Sequence, residues 1–160
     1  MKSSNEFLDS YQFCTFLIND RMFGVDLLDV REVREVNQGP SLTTIYHAPE
    51  QVRGYINIRG QIHLVLDLRV IIGFDPIKIR QDHCVIIFKK HVGEFFGILV
   101  DKIIGVEAVI KEQIEEYNHI VGKSILTGSD IKTESLQGIC KLEKNLMIML
   151  DSKTFLSNIA

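Results

Sequence analysis

At 160 residues, with 46% apolar and 24% charged side chains, the chain has a globular composition and enough length to bury a core. Its formal net charge is −3 and no basic run exceeds Lys89-Lys90, which argues against a surface that tracks nucleic-acid phosphates. Met1 to Ser10 lacks the apolar stretch of a signal peptide, and no apolar run approaches the roughly 18 residues that cross a bilayer, so neither secretion nor direct membrane insertion is expected.

In chain order, residues 1–10 read as a flexible N-terminus and 11–157 as a single domain. Tyr11 to Ile18 is rich in β-formers and predicts a strand, with Asn19-Asp20-Arg21 as the turn and Met22 to Asp26 pairing back. Asp29 to Val36 continues as a strand, with or without a leading helical turn. Gln38-Gly39-Pro40-Ser41 breaks the chain, and Ile45 to Pro49 crosses irregularly. Gly54 to Ile58 and Gln61 to Leu66 form a hairpin about Arg59-Gly60, in which Gly54 and Gly60 serve the backbone through a bulge and a turn. Asp67 is placed to cap a short helix from Leu68 to Ile72, ended by Gly73. His83 to Phe88 and Glu94 to Val100 form the next hairpin, followed by a strand from Gly105 to Ile110. Lys111 to Ser135 reads as a polar excursion with one short helix near its start. Leu136 to Leu142 and Leu146 to Leu150 form the last hairpin, after which Asp151 caps a terminal helix through Leu156.

A pattern recurs in this order. Gly54 to Asp67 and Gly138 to Asp151 are each a glycine, an apolar strand, a polar turn, a second apolar strand and an aspartate, thirteen positions apart. A second pair echoes it: Phe23-Gly24-Val25 leading to Asp26 and Val30, and Phe96-Gly97-Ile98 leading to Asp101 and Val106. Several strands, Leu64 to Leu66 and Leu146 to Leu150 among them, are apolar on both faces. Such strands have one face in a barrel and the other covered by a second barrel. The predicted fold is all-β: two packed barrels with a groove between them, and short helices after Asp67 and Asp151.

Chemistry for catalysis is not evident. The chain has no G-x-S-x-G, P-loop, G-x-G-x-x-G or H-E-x-x-H, and its five histidines never fall at a spacing of two to five. No metal or cofactor is expected. His63, in an apolar strand, reads as a histidine at a lobe interface or on the wet face. Asp67 and Asp151 are explained as caps, each contributing roughly 1 kcal/mol. Cys14, Cys84 and Cys140 form no C-x-x-C pair and read as buried, reduced thiols of a cytosolic protein.

The segment Val52-Arg53-Gly54-Tyr55-Ile56-Asn57-Ile58-Arg59-Gly60, followed by Leu64-Val65-Leu66-Asp67-Leu68-Arg69, resembles the CheW-like domain, whose pattern is V-x-G-x-x-N-x-R-G, an apolar strand and D-L. Phe23 to Val33, Phe96 to Val106 and the hairpin ending at Leu150-Asp151 fit the same register, so the resemblance covers about 11–157. It implies two SH3-like five-stranded barrels around a shared core. It also implies a non-enzymatic chemotaxis adaptor, in the cytoplasm and recruited to membrane receptor arrays. The implied partners are the cytoplasmic tip of a methyl-accepting chemoreceptor and the regulatory domain of the histidine kinase CheA. The absence of kinase, phosphotransfer or receiver segments favours a stand-alone member. Carried over by position, Val30 and Glu32 line one wall of the groove, Asn57 and Arg59 sit at the turn beside it, and Val100 and Val106 are apolar positions of the second lobe. Taken alone, Arg59 also reads as a solvated turn residue or a brace within its own lobe, and Val30 as core. The family's usual proline after R-G is replaced here by His63-Leu64, and Lys111 to Ser135 lacks the family's prolines. A small β-barrel that binds nucleic acid is the competing function, opposed by the acidic balance.

Overall fold

The computed structural model describes residues 10–39, 41–116 and 134–158. The expected flexible N-terminus falls outside them except for Ser10, as does most of the Lys111 to Ser135 excursion. Eleven strands are formed among the described residues: β1 Ser10–Ile18, β2 Arg21–Asp26, β3 Val30–Glu35, β4 Val52–Ile58, β5 Gln61–Asp67, β6 Cys84–Phe88, β7 Phe96–Val100, β8 Lys102–Ile110, β9 Ile114–Glu116, β10 Leu136–Lys141 and β11 Leu146–Leu150. A single α-helical turn, α1 Leu68–Ile71, follows β5, and 3-10 turns at Ser152–Thr154 and Leu156–Asn158 follow β11. Asp67 and Asp151 cap them as expected, their side chains accepting from the backbone N of Arg69 and Lys153. β8 begins three residues before the predicted strand. The excursion opens with the 3-10 turn Lys111–Gln113, and β9 then runs where no strand was expected.

The strands make two sheets. One has the order β3-β6-β7-β5-β4; the other is β8-β1-β2-β11-β10, with the short β9 added at its edge. The two are built alike. Gly97 of β7 pairs in parallel with Val65 of β5, and Gly24 of β2 pairs in parallel with Met149 of β11. Arg31 in β3 and Ile104 in β8 are skipped by the ladder at matching places, as are Arg53 in β4 and Gln137 in β10. This register refines the repeat read from sequence. Val33 faces Ile86 as Val106 faces Cys14, so Val33, rather than Val30, is the counterpart of Val106.

The chain passes from one sheet to the other twice, so β3 to β7 are inserted between β2 and β8. The β1–β2 hairpin belongs to the six-stranded sheet, but the following β3 joins the other one. The β6–β7 hairpin belongs to the five-stranded sheet, and the following β8 crosses back.

Burial explains the doubly apolar strands. Val85, Ile87, Leu99, Val65, Ile56 and Ile58 fill the interior of one lobe. Phe13, Val109, Cys140, Met147 and Met149 fill the other. The opposite faces of the same strands, including Ile86, Phe88, Ile98, Val100, Phe16, Ile148 and Leu150, meet in a third cluster common to both sheets. Phe16, Phe23, Phe96 and Phe155 anchor that cluster, each contributing about 2–3 kcal/mol by its burial. The two lobes are therefore SH3-like barrels joined by a continuous hydrophobic interface.

His63 is buried, not on the wet face. Its ring meets Phe95 edge-on at 5.5 Å and its Nδ1 lies 3.0 Å from Gln61 O, while its neighbour Ile62 is exposed.

Candidate functional site

The β4–β5 turn is two residues long. Both have positive φ, Arg59 at 49° and Gly60 at 82°, as the tightest hairpin turns require. Gly60 accepts this freely. Arg59 does not, because its Cβ crowds the backbone there. Asn57 sets the turn from the side, its Oδ1 accepting from Gly60 N at 3.0 Å. A strained residue at an exposed tip is a pointer to function.

Arg59 is held by Glu32. Its Nη2 donates to Glu32 Oε1 at 2.5 Å, and the other oxygen, Oε2, accepts from Arg34 Nε at 3.2 Å. β3 and β4 are opposite edges of the five-stranded sheet, so this pair bridges the two edges and marks the closure of the barrel. Burial pushes the Glu32 carboxyl up, but the bonds and charges of Arg59 and Arg34 outweigh it and hold the group below the ordinary glutamate value. Arg59 thus braces its own lobe and also presents a cation: its side chain is 59% exposed.

The structure brings Glu32, Asn57 and Arg59 together and separates the remaining candidates. Val30 opens β3 opposite Phe88 and packs, half-buried, on the shared core. Val100 is 1% exposed and belongs to that core outright, so it offers no surface to a partner. Val106 is 55% exposed on β8, an edge of the other sheet. Gly54, with φ at 147°, lies against Thr43: a Cβ there would sit 2.0 Å from Thr43 O, beside the bridge that pairs Thr43 with Tyr55.

Sequence reasoning missed three groups. Arg34 was legible as the residue two beyond Glu32, hence on the same side of the strand. Exposed Val33 becomes visible only through the register that makes it the counterpart of Val106. The third group is the pair of carboxylates that clamp the crossovers. Asp29, before β3, accepts from Ser152 Oγ at 2.6 Å and lies 2.8 Å from His91 Nε2. Asp101, before β8, binds Arg69 and Asn19. Because Ser152 gives its proton to Asp29 and not to His91, the Asp29–Ser152–His91 trio is a brace and lacks the serine–histidine contact of a nucleophilic relay.

Asp67 does more than cap. Arg53 Nη1 donates to its Oδ2 at 2.9 Å. Burial still pushes the Asp67 carboxyl above its ordinary value, outweighing both the Arg53 charge and the capping bond. Burial also raises the Cys14 thiol to about 11, which leaves it unreactive at neutral pH.

The CheW-like domain family model matches residues 12–160. The chain belongs to the CheW-like domain family. Relatives include the chemotaxis protein CheW of Klebsiella aerogenes, 28% identical over 148 residues that cover 92% of this chain and 82% of that protein. The chemotaxis protein CheW of Thermotoga maritima is 27% identical, with 94% and 91% covered. Among solved structures, the crystal structure of the scaffolding protein TtCheW from Thermoanaerobacter tengcongensis superposes with a TM-score of 0.72 at 27% identity, covering 88% of each chain. The matched residues span both sheets and include the turn from Asn57 to Gly60. Among the described residues, no helix is long and apolar enough to cross a membrane.

Proposed function

We propose that this chain is a non-enzymatic chemotaxis scaffold that couples the cytoplasmic tip of a methyl-accepting chemoreceptor to the regulatory domain of the histidine kinase CheA. It acts in the cytoplasm at membrane receptor arrays, with residues 11–157 working as one unit. Family membership supports the scaffold role. The observation that carries the site is the Arg59 turn: a strained, exposed guanidinium fixed from behind by Glu32 and from the side by Asn57. A fixed fork of donors suits a carboxylate or backbone carbonyls on a partner helix. The exposed Val106 supplies an apolar contact on the second lobe, Val30 supports the wall from within, and Val100 acts only through packing.

The test is capture, by the folded full-length chain, of a receptor-tip helical hairpin and of the kinase regulatory domain. Binding of both, weakened by Arg59→Ala, is the expected result. Failure to capture either would sink the coupling role.

A further inference from the structure

Between α1 and β6, residues 73–83 form no helix or strand. Ile77 and His83 of this segment line a small cleft together with Asp67, Arg69, Leu99 and Asp101. The segment is tied down along its length. Phe74 N donates to Arg69 O at 2.7 Å, Arg53 Nη2 to Ile77 O at 3.0 Å, Asn37 N to Gln81 O at 3.1 Å and Val36 N to His83 O at 2.8 Å.

Its last turn is closed by His83. Arg80 N donates to His83 Nδ1 at 3.1 Å, and His83 N donates back to Arg80 O at 3.2 Å. Nδ1 accepts only when it carries no proton, so this bond requires a neutral ring protonated on Nε2. His83 is 4% exposed, and burial is the largest influence on it, holding the ring below its ordinary value of 6.5. Asp101 on the crossover and Asp82 beside it pull the other way, whereas Arg80 and Arg69 act with burial. Glu35 on β3 faces Cys84, one position further on, and Asp67 across the cleft is paired with Arg53. Val36, Ile77 and Leu99 bring no charge. The ring is therefore neutral at neutral pH, as the Arg80 bond requires.

We propose that His83 is a proton-operated catch for residues 73–82. Neutral, it closes the turn and seats the segment over Asp67, Arg69 and Asp101. A proton on Nδ1 abolishes the bond from Arg80 N and sets two donors face to face. It also offers an imidazolium to Asp101, which Arg69 must then share. The segment lifts, and the fastening of the crossover to Arg69 loosens. The stability linked to this group is full above the ordinary histidine value and is lost as the pH falls through the folded value.

The test follows the folded full chain by nuclear magnetic resonance from about pH 8 down to about pH 5. The His83 ring should show the Nε2–H tautomer at the upper end and titrate below the ordinary histidine value. In step with that titration, the Arg80 and Asn37 amides should lose protection from hydrogen exchange by about tenfold or more, after correction for the intrinsic pH dependence. His83→Asn keeps an acceptor for Arg80 N and takes up no proton, so its protection should stay level over the range. A ring that stays neutral throughout or titrates at or above the ordinary value would overturn the proposal. So would wild-type protection that is constant through the titration, or a His83→Asn chain that loses protection as the wild type does. Should His83→Asn fail to fold, the ring titration and amide exchange of the wild type decide.

Discussion

Arg69 and Asp101 are bound side by side: Nε donates to Oδ1 at 3.1 Å and Nη2 donates to Oδ2. The third arm of the guanidinium, Nη1, reaches Asn19 Oδ1 at 2.6 Å, and Asn19 N returns to Asp101 Oδ2 at 3.0 Å. The helix after β5, the crossover into β8 and the β1–β2 turn are thus fastened at one point. The Arg69 side chain is only 9% exposed. Arg69→Ala should lower stability by about 2–3 kcal/mol, because it leaves a half-buried carboxylate without its cation. Chemical denaturation measures this, and a loss near zero would mean that water replaces the guanidinium at little cost.

Arg59 should separate strain from recognition. Arg59→Gly relieves the positive φ and removes the Glu32 pair, two effects of opposite sign and each about 1 kcal/mol or less, so the melting temperature should barely move. Binding of the receptor tip should fall for Arg59→Gly and Arg59→Ala alike. Equal binding by Arg59→Gly and the wild type would show that the turn backbone, and not the guanidinium, is recognised.

The two structural glycines should differ sharply when changed to alanine. Around Gly60 a Cβ meets open space and only the positive φ resists it, so the loss should be about 1 kcal/mol. At Gly54 the Cβ would collide with the Thr43 carbonyl, and the loss should exceed about 3 kcal/mol, with the Thr43–Tyr55 pairing broken. Denaturation midpoints of the two variants decide this; similar losses would contradict the packing at Gly54.

Glu32 and Asp67 should respond to pH in opposite directions. The Glu32 carboxyl is lowered in the folded chain. Its contribution is present above the ordinary glutamate value of 4.5 and is lost as the pH falls through the folded value. The Asp67 carboxyl is raised by burial. Its contribution is full below the ordinary value of 3.8 and is lost as the pH rises through the folded value. Relative to Asp67→Asn, the wild type should lose stability as the pH climbs through that window; relative to Glu32→Gln, it should gain. Urea midpoints across the acid range test both, and a pH-independent difference for either variant would refute its assignment.

The hairpins, the capping aspartates and the two-barrel core were legible in the sequence because they are local or periodic. The N-x-R-G turn was legible because Gly60 suits a positive φ and Asn57 bonds its amide, whereas the backbone does not demand Arg59, which it strains. The partner of Arg59 was only half legible: Glu32 was named for the same wall, but the contact depends on a sheet curling until its two edges meet, which no spacing reveals. His63 was left between two readings because period-two alternation assigns a face without saying what covers it; Phe95 does. Val100 carried a family-derived surface role, although it lies in the core that its own doubly apolar strand predicts.

The insertion of β3 to β7 between β2 and β8 has a mechanical consequence. The five-stranded lobe, β3 to β7, is one continuous stretch, and the six-stranded lobe is built from the segments on either side of it, so no single cut separates the polypeptide into two complete lobes. Spreading the lobes would leave every strand ladder intact but would open the shared apolar cluster and pull on both connections, β2 to β3 and β7 to β8. A molecule threaded this way transmits force as one block, and a load applied to either lobe is borne by both.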